Sequence, residues 1–316
     1  MSVLSALTTA ILPVLAIAVA GYVLGTVRDV DVDPLATVTM YVLAPALVFH
    51  SLTTTRLGGR EVAGVVGGVV LFVVVMVVLT EGVGRAIGET EPIRSGFVLA
   101  SAFPNSGNYG IPLSAFAFGV VGRSTAVLFL TTQSILVYTL GLYIASRGRG
   151  SVRESLVEVL RLPLVYAVVA AGLVRWLGVV PPTDSTAMRT IGLVGDAAIP
   201  LLLVVLGVQL ANVDAGAALR RVAPVNVLKL GVAPVVGLAL VPLVGLVDPT
   251  IARTFVLECA MPAAVTPLLF AIELDVPDAS SLSRSEYLST AILTTTLLSV
   301  PTLTVLIVLL ESGALV

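Results

Sequence analysis

Between Ile93 and Phe118 an apolar run is interrupted by Ala102-Phe103-Pro104-Asn105-Ser106-Gly107-Asn108-Tyr109-Gly110-Ile111-Pro112-Leu113. The run is long enough to cross a bilayer, which takes roughly 20 residues. Its middle, however, has the residue types of a polar binding site. Pro104 and Pro112 each delete a backbone donor and clash with the carbonyl four residues earlier, which frees the carbonyls of Ala100 and Asn108. Gly107 and Gly110 make non-helical backbone cheap. In hydrocarbon a free backbone polar group is costly, so irregular backbone persists only where protein buries it or a wet cavity borders it. Asn105 and Asn108 can donate or accept hydrogen bonds without bringing a charge into the membrane. A spanning helix broken in this way is a candidate binding site; the plainer alternative is a proline kink with structural asparagines.

A second stretch answers the first: Glu258-Cys259-Ala260-Met261-Pro262-Ala263-Ala264-Val265-Thr266-Pro267. By the same steric argument Pro262 frees the carbonyl of Glu258 and Pro267 that of Ala263. Two broken helices crossing at mid-membrane would present half-helix N-termini, whose N–H groups and positive dipole ends suit an anion. Freed carbonyls and half-helix C-termini suit a cation instead. The two breaks are chemically unequal, with asparagine at 105 and alanine at 263. Polar recognition therefore leans on Pro104, Asn105 and Asn108, with Pro262 and Thr266 contributed by the second break.

Ionisable groups inside apolar runs are costly and mark function by default. Lys229, the sole lysine, and Glu258, one turn before the second break, are read as a buried pair, and either could bind or release a proton. Asp196, shortly before Pro200, borders a cavity or the interface. Glu81 and Arg85, spaced i,i+4, are read as a pair at the membrane surface, and His50 as a span-boundary residue. Gln133 and Gln209 are mid-span amides, and Gln133 has the stronger case because its run follows the broken helix directly.

The elements that must position these residues follow from composition. The chain has 316 residues, 57% hydrophobic and 11% charged, with mean hydropathy +1.09. Soluble domains are about 25% charged, so this is a polytopic membrane protein. A net charge of −2 says nothing about a nucleic-acid partner, and no basic cluster is large enough to suggest one, so none is expected. With a single cysteine, Cys259, and a single histidine, His50, there is no intrachain disulfide and no His/Cys metal site. The same inventory offers an intramembrane enzyme neither paired carboxylates nor a Ser-His arrangement, so no cofactor is expected. The N-terminus lacks the basic region of a signal peptide, and residues 4–26 are read as a retained span.

Apolar runs suggest an all-α membrane protein of about ten spans, near 4–26, 35–54, 62–86, 93–118, 123–145, 158–178, 187–211, 219–246, 250–273 and 287–312. Residues 146–157 form a central linker between 1–145 and 158–316, and these halves share features in the same order. Leu12-Pro13 corresponds to Leu162-Pro163, Pro45 to Pro200, Pro104 to Pro262, and Leu130-Thr131-Thr132 to Leu293-Thr294-Thr295. The offset grows from 150 to 163 residues along the chain, as small loop insertions would cause. Five spans is an odd number, so the second copy must be inverted, giving a 5+5 inverted repeat with two crossover helices of the kind found in secondary transporters. Loop arginines divide ten to six in favour of both termini outside and a cytoplasmic linker.

The motifs are also specific. Pro104-Asn105, then four residues, then Gly110-Ile111-Pro112-Leu113 resembles the broken fourth helix of the auxin efflux carrier family, the PIN-like carriers. Gln133 followed by Tyr138-Thr139-Leu140 is similar to that family's fifth helix, and Pro262, Pro267 and Phe270-Ala271-Ile272-Glu273 to its ninth. The likeness covers essentially the whole chain, and the short linker is that of prokaryotic members. It implies a scaffold of spans 1, 2, 6 and 7, a mobile domain of spans 3–5 and 8–10, and elevator-like transport of a small carboxylate across the cell membrane: auxin in plants, malate or malonate in bacterial relatives. It implies that Asn105 takes the crossover-asparagine role, Pro104 and Pro262 the crossover prolines and Gln133 the fifth-helix position. Gly107 and Asn108 depart from the bulkier apolar residues of the plant pattern, which points to a pocket more polar than one for auxin. Partners would be a small organic anion, the lipid bilayer and possible homodimer formation, with H+ or Na+ as the coupling ion if there is one. A proline-gated channel and a non-transporting sensor are the rival readings.

Overall fold

The structure, a computed structural model, describes residues 12–54, 58–146, 163–211, 219–274 and 282–315, together with Thr8 and Leu160. In hydrocarbon every backbone group must be bonded within its own segment, and the described residues accordingly form helices and no strand. In chain order these are α1 (Leu12–Val27), α2 (Pro34–Thr54), α3 (Gly59–Ala86), α4 (Ile93–Ala102), α5 (Ser106–Ser146), α6 (Pro163–Trp176), α7 (Thr186–Ala211), α8 (Ala223–Leu243), α9 (Pro249–Cys259), α10 (Thr266–Leu274) and α11 (Arg284–Glu311). Among the described residues six of them, α2, α3, α5, α7, α8 and α11, are long and apolar enough to cross a membrane, while α1, α4 and α6 are shorter apolar helices. Most of the central linker and the start of the first expected span lie outside the described residues.

Helix α5 is two legs rather than one rod. Gly119 stands at φ 64° and ψ −146°, a left-handed backbone that a residue with a Cβ rarely adopts. A Cβ at Gly122 would run into the Ser114 carbonyl, eight positions back, so the chain doubles over at this point. The turn falls between the expected runs 93–118 and 123–145.

Glycine sets the closest helix contacts. α1 lies against α7, where a Cβ at Gly21 would strike the Val204 backbone and one at Gly207 the Ala18 carbonyl. Small residues allow such backbone approach where lipid supplies no hydrophobic drive between helices. α2 packs on α6 and α7, and Gly195 receives the Leu47 backbone. The other helices gather around α3 and α9. There the Phe129 ring lies 6.4 Å from Phe72 and 5.7 Å from Phe255, in tilted geometry. Buried side chains of α4, α5, α8 and α11 complete this core.

Charges collect at helix ends. Glu81 meets Arg85 at 3.1 Å, as expected, and Arg94 joins at 3.3 Å. Between α3 and α4, Glu89 takes a two-pronged bond from Arg221, ahead of α8, at 3.0 and 2.7 Å. That bond is the main reason the guanidinium holds its proton more firmly than an ordinary arginine. Bidentate pairs outperform exposed single contacts. We expect Arg221→Ala to cost about 1 kcal/mol in thermal unfolding of the purified protein at low salt, and less at high salt.

Candidate functional site

The two breaks pair with each other. Asn105 N–H donates to the Pro262 carbonyl at 2.8 Å, and Ala264 N–H donates to the Phe103 carbonyl at 2.9 Å. These bonds frame an antiparallel bridge between Pro104 and Ala263. Pro104 stands in the non-hydrogen-bonded pair, where the ladder asks for no N–H; the ladder ends at Pro262, and the Asn105 carbonyl, which an N–H there would have met, accepts from Gly110 N–H at 2.9 Å. Two further backbone groups of the bridge are met by side chains from the helices that follow. Gln133 Nε2 donates to the Pro104 carbonyl at 2.7 Å, and Ala263 N–H donates to Thr295 Oγ1 at 3.1 Å. Gln133 thus supports the crossing itself. Removing it with Gln133→Leu leaves a buried carbonyl unpaired, at about 1–3 kcal/mol; a lowered unfolding temperature in detergent checks this.

Pro267 behaves differently from expectation. It falls in the first turn of the helical leg that begins at Thr266, where the missing N–H would have no intrahelical partner in any case. It starts a half-helix rather than breaking one, while Pro112 stands where the widened first turn of α5, Ser106–Gly110, gives way to regular helix. Nor is the Glu258 carbonyl free, since a tightened last turn returns it to Met261 N–H at 3.2 Å.

A cavity of about 210 Å³ lies against the crossing. Its polar wall includes Asn105, Ser106, Asn108, Gln133, Gln209 and Thr266; its apolar wall comes largely from α2 and α5, with Leu202 and Val205 of α7. Pro104 also borders it, whereas Pro262 stands behind the bridge. The half-helices α5 and α10 both start at this cavity, at Ser106 and Thr266, so two positive dipole ends face it. Asn105 is held closely: its Oδ1 accepts from Asn108 N–H at 3.2 Å. Its Nδ2, in a side chain only 5% exposed, has no hydrogen-bond partner. Asn108 Nδ2 reaches Gln209 Oε1 at 3.5 Å, and Ser106 Oγ donates to Gln133 Oε1 at 3.2 Å.

The buried charges do not form the expected pair. Lys229, fully buried in a widened turn of α8, directs Nζ to the Cys259 carbonyl at 3.5 Å and lies 5.6 Å from the Phe72 ring centroid. Glu258 turns to the other side of α9, where Oε1 accepts from Ser114 Oγ at 2.7 Å and Oε2 rests against the Cα of Gly110. Consecutive residues of a helix project about 100° apart, so one helix end sends the lysine to its carbonyl and the carboxyl to the neighbouring helix. Asp196 is remote from both; it pairs with Arg123 at 2.5 Å with its side chain exposed. His50 lies against Gly192 in the α2–α7 contact.

Ser106, Ser114 and Thr295 were not singled out by sequence, because a serine or threonine in an apolar helix usually bonds its own backbone. Their spacing from Gly110 was the available signal: Ser106, Gly110 and Ser114 recur every four residues. Gln209 proves to border the cavity together with Gln133.

The membrane transport protein family profile matches residues 6–307 of the chain. An "Uncharacterized transporter" of Methanothermobacter thermautotrophicus is 26% identical over 293 residues, covering 90% of this chain and 93% of that protein. A "Putative malonate transporter" of Rhizobium meliloti is 27% identical over 324 aligned positions, covering 98% and 97%. These similarities extend through both breaks and the helices that hold them, and they are to transporters rather than enzymes. The chain therefore belongs to the membrane transport protein family, as a prokaryotic-type member of the auxin efflux carrier group.

Proposed function

We propose that this protein is a secondary carrier for a small organic anion, a mono- or dicarboxylate of the malonate or malate type, and that the anion binds at the crossing of the two breaks. The observation that carries the reading is the Asn105 amide: a buried donor with no partner, bordering a cavity on which two helix N-termini converge. A carboxylate oxygen there would meet a preorganised N–H donor and favourable dipoles without a formal positive charge. The likeness to a relative named as a malonate transporter favours a dicarboxylate.

The wider reading is a ten-span, 5+5 inverted repeat in the cell membrane with both termini outside. Its support is the ordered sequence correspondence between 1–145 and 158–316, the arginine asymmetry and the backbone pairing of the two breaks. Helices α1, α2, α6 and α7 pack mainly on one another, and the remainder pack around α3 and α9, which suits a scaffold and a moving body. In this reading the moving body carries the crossing past the scaffold in an elevator-type cycle. A homodimer joined through the scaffold fits the same plan.

Counterflow in proteoliposomes tests the proposal. Vesicles loaded with unlabelled malonate should transiently concentrate external labelled malonate, a signature that a channel or a sensor does not give. Absence of counterflow with malonate, malate and an indole carboxylate would overturn the carrier reading.

A further inference from the structure

One buried acid is left without a role by substrate binding alone. Glu258 is fully buried, in a notch on α5 formed by the absent side chain of Gly110. Ser114 donates to Oε1, Oε2 has no hydrogen-bond partner, and the Ser106 hydroxyl is the second polar neighbour of the carboxyl. Ser106 also borders the cavity and donates to Gln133 Oε1. The notch and the cavity are therefore two sides of one hydroxyl.

Among the described residues, no cation lies against the Glu258 carboxyl. On its own helix the ionisable neighbours are Cys259 and Arg253, the latter more than a turn away. On α5 the facing group is Tyr109, whose hydroxyl is taken up with Ser299 at 3.5 Å. On α8 it is Lys229, committed to the Cys259 carbonyl. The ionisable residues of α3 (Arg60, Glu61, Glu81 and Arg85) stand near its two ends, as do Arg284, Glu286, Tyr287 and Glu311 on α11. An ionised carboxylate takes several donors and is costly in a dry interior without a counter-charge. Glu258 has one donor, and its second oxygen faces a hydroxyl that already donates elsewhere.

We propose that Glu258 is the proton-carrying site of the carrier and that Ser106 connects it to the anion cavity. This rests on the carrier reading above and adds the coupling ion to it. In the proposed loaded state Glu258 Oε2 carries the proton on the side of Ser106 Oγ, whose own hydrogen goes to Gln133 Oε1. When the cavity fills with water, the Oε2–H bond breaks as Ser106 Oγ takes that proton. The hydrogen formerly on Ser106 passes to a cavity water, which leaves as hydronium. The retained hydroxyl hydrogen then faces the new carboxylate, and Gln133 Oε1 loses its donor. A negative charge beside the crossing opposes a bound anion, so anion and proton travel together, and each raises the affinity for the other.

Two measurements decide it. Infrared spectra of the purified protein in lipid should show the C=O stretch of a buried carboxylic acid that is absent from Glu258→Gln. Ser106→Ala, which keeps the carboxyl, should shift that band and slow its exchange in D2O by about a hundredfold, the scale of a positioned proton-transfer group. Glu258→Asp provides the same infrared comparison if the glutamine variant fails to fold. In proteoliposomes an inward proton gradient should drive malonate accumulation in the wild type and not in Glu258→Gln. An unchanged band in the glutamine variant, or accumulation driven by Na+ and indifferent to pH, overturns the proposal. If malonate is not carried at all, the carrier reading fails on that arm while the infrared result still decides the proton site.

Discussion

Asn105→Ala should cut carboxylate transport at low substrate concentration by roughly ten- to hundredfold while the protein still folds and unfolds at nearly its usual temperature. The side chain's carbonyl makes one local bond, to Asn108 N–H, and its buried amide nitrogen has no protein partner. The fold therefore loses little. The anion loses a donor to a charged acceptor, a bond of about 1.5–3 kcal/mol, which corresponds to roughly a ten- to hundredfold weaker affinity. Asn105→Asp should be worse, because it opposes the anion with a like charge in a low dielectric. Equilibrium binding of labelled malonate to the two variants, with thermal unfolding measured in parallel, separates loss of the site from loss of the fold.

The largest structural effect is expected from Gly207→Val. A Cβ there would overlap the Ala18 carbonyl and crowd the Gly21–Tyr22 backbone, so α1 and α7 would have to separate. Overpacking of this kind costs about 1–3 kcal/mol and more when the obstacle is main chain. Gly172→Ala on α6 is the control: a Cβ there meets nothing within 4 Å, and a helix gains about 0.5–1 kcal/mol from the replacement. Thermal unfolding in one detergent should show a large loss for the first variant and no loss for the second. Equal losses would mean that the close α1–α7 crossing is not the reason for the glycine.

The breaks were legible in sequence because proline acts locally. Pro104 and Pro262 cannot continue a helix whatever surrounds them, and both mark the crossing. Which proline does the breaking was less legible: Pro267 obeys the same steric rule but falls in a first turn, where it costs nothing. The reversal at Gly119 could be placed between two apolar runs, while its left-handed backbone could not be read from residue type alone. Long-range pairing was hidden. Nothing in the local sequence tells Asn105 N–H to seek the Pro262 carbonyl, although the matching offsets of the two halves brought these residues into correspondence.

The buried charges show where reading one dimension fails. Lys229 and Glu258 are opposite charges in neighbouring spans, which is sufficient reason to expect a pair. Their separation depends on which side of α9 faces α5 and which faces α8, and the identity of residue 258 does not carry that information. The notch at Gly110 decides it, because only an absent side chain lets the Glu258 carboxyl lie on α5. The serines on either side of that glycine, Ser106 and Ser114, acquire their meaning only once the carboxyl is there.

The central claim is that the anion sits at the crossing and is exposed to the two sides of the membrane in turn. A single cysteine at position 134, which borders the cavity and whose native serine bonds only the Leu130 carbonyl of its own helix, tests it in a Cys259→Ala background with a membrane-impermeant thiol reagent added to either side of oriented vesicles. The account predicts labelling from each side and protection by malonate from both, with the native serine at 134 giving no label. Labelling confined to one side and unaffected by malonate would contradict it.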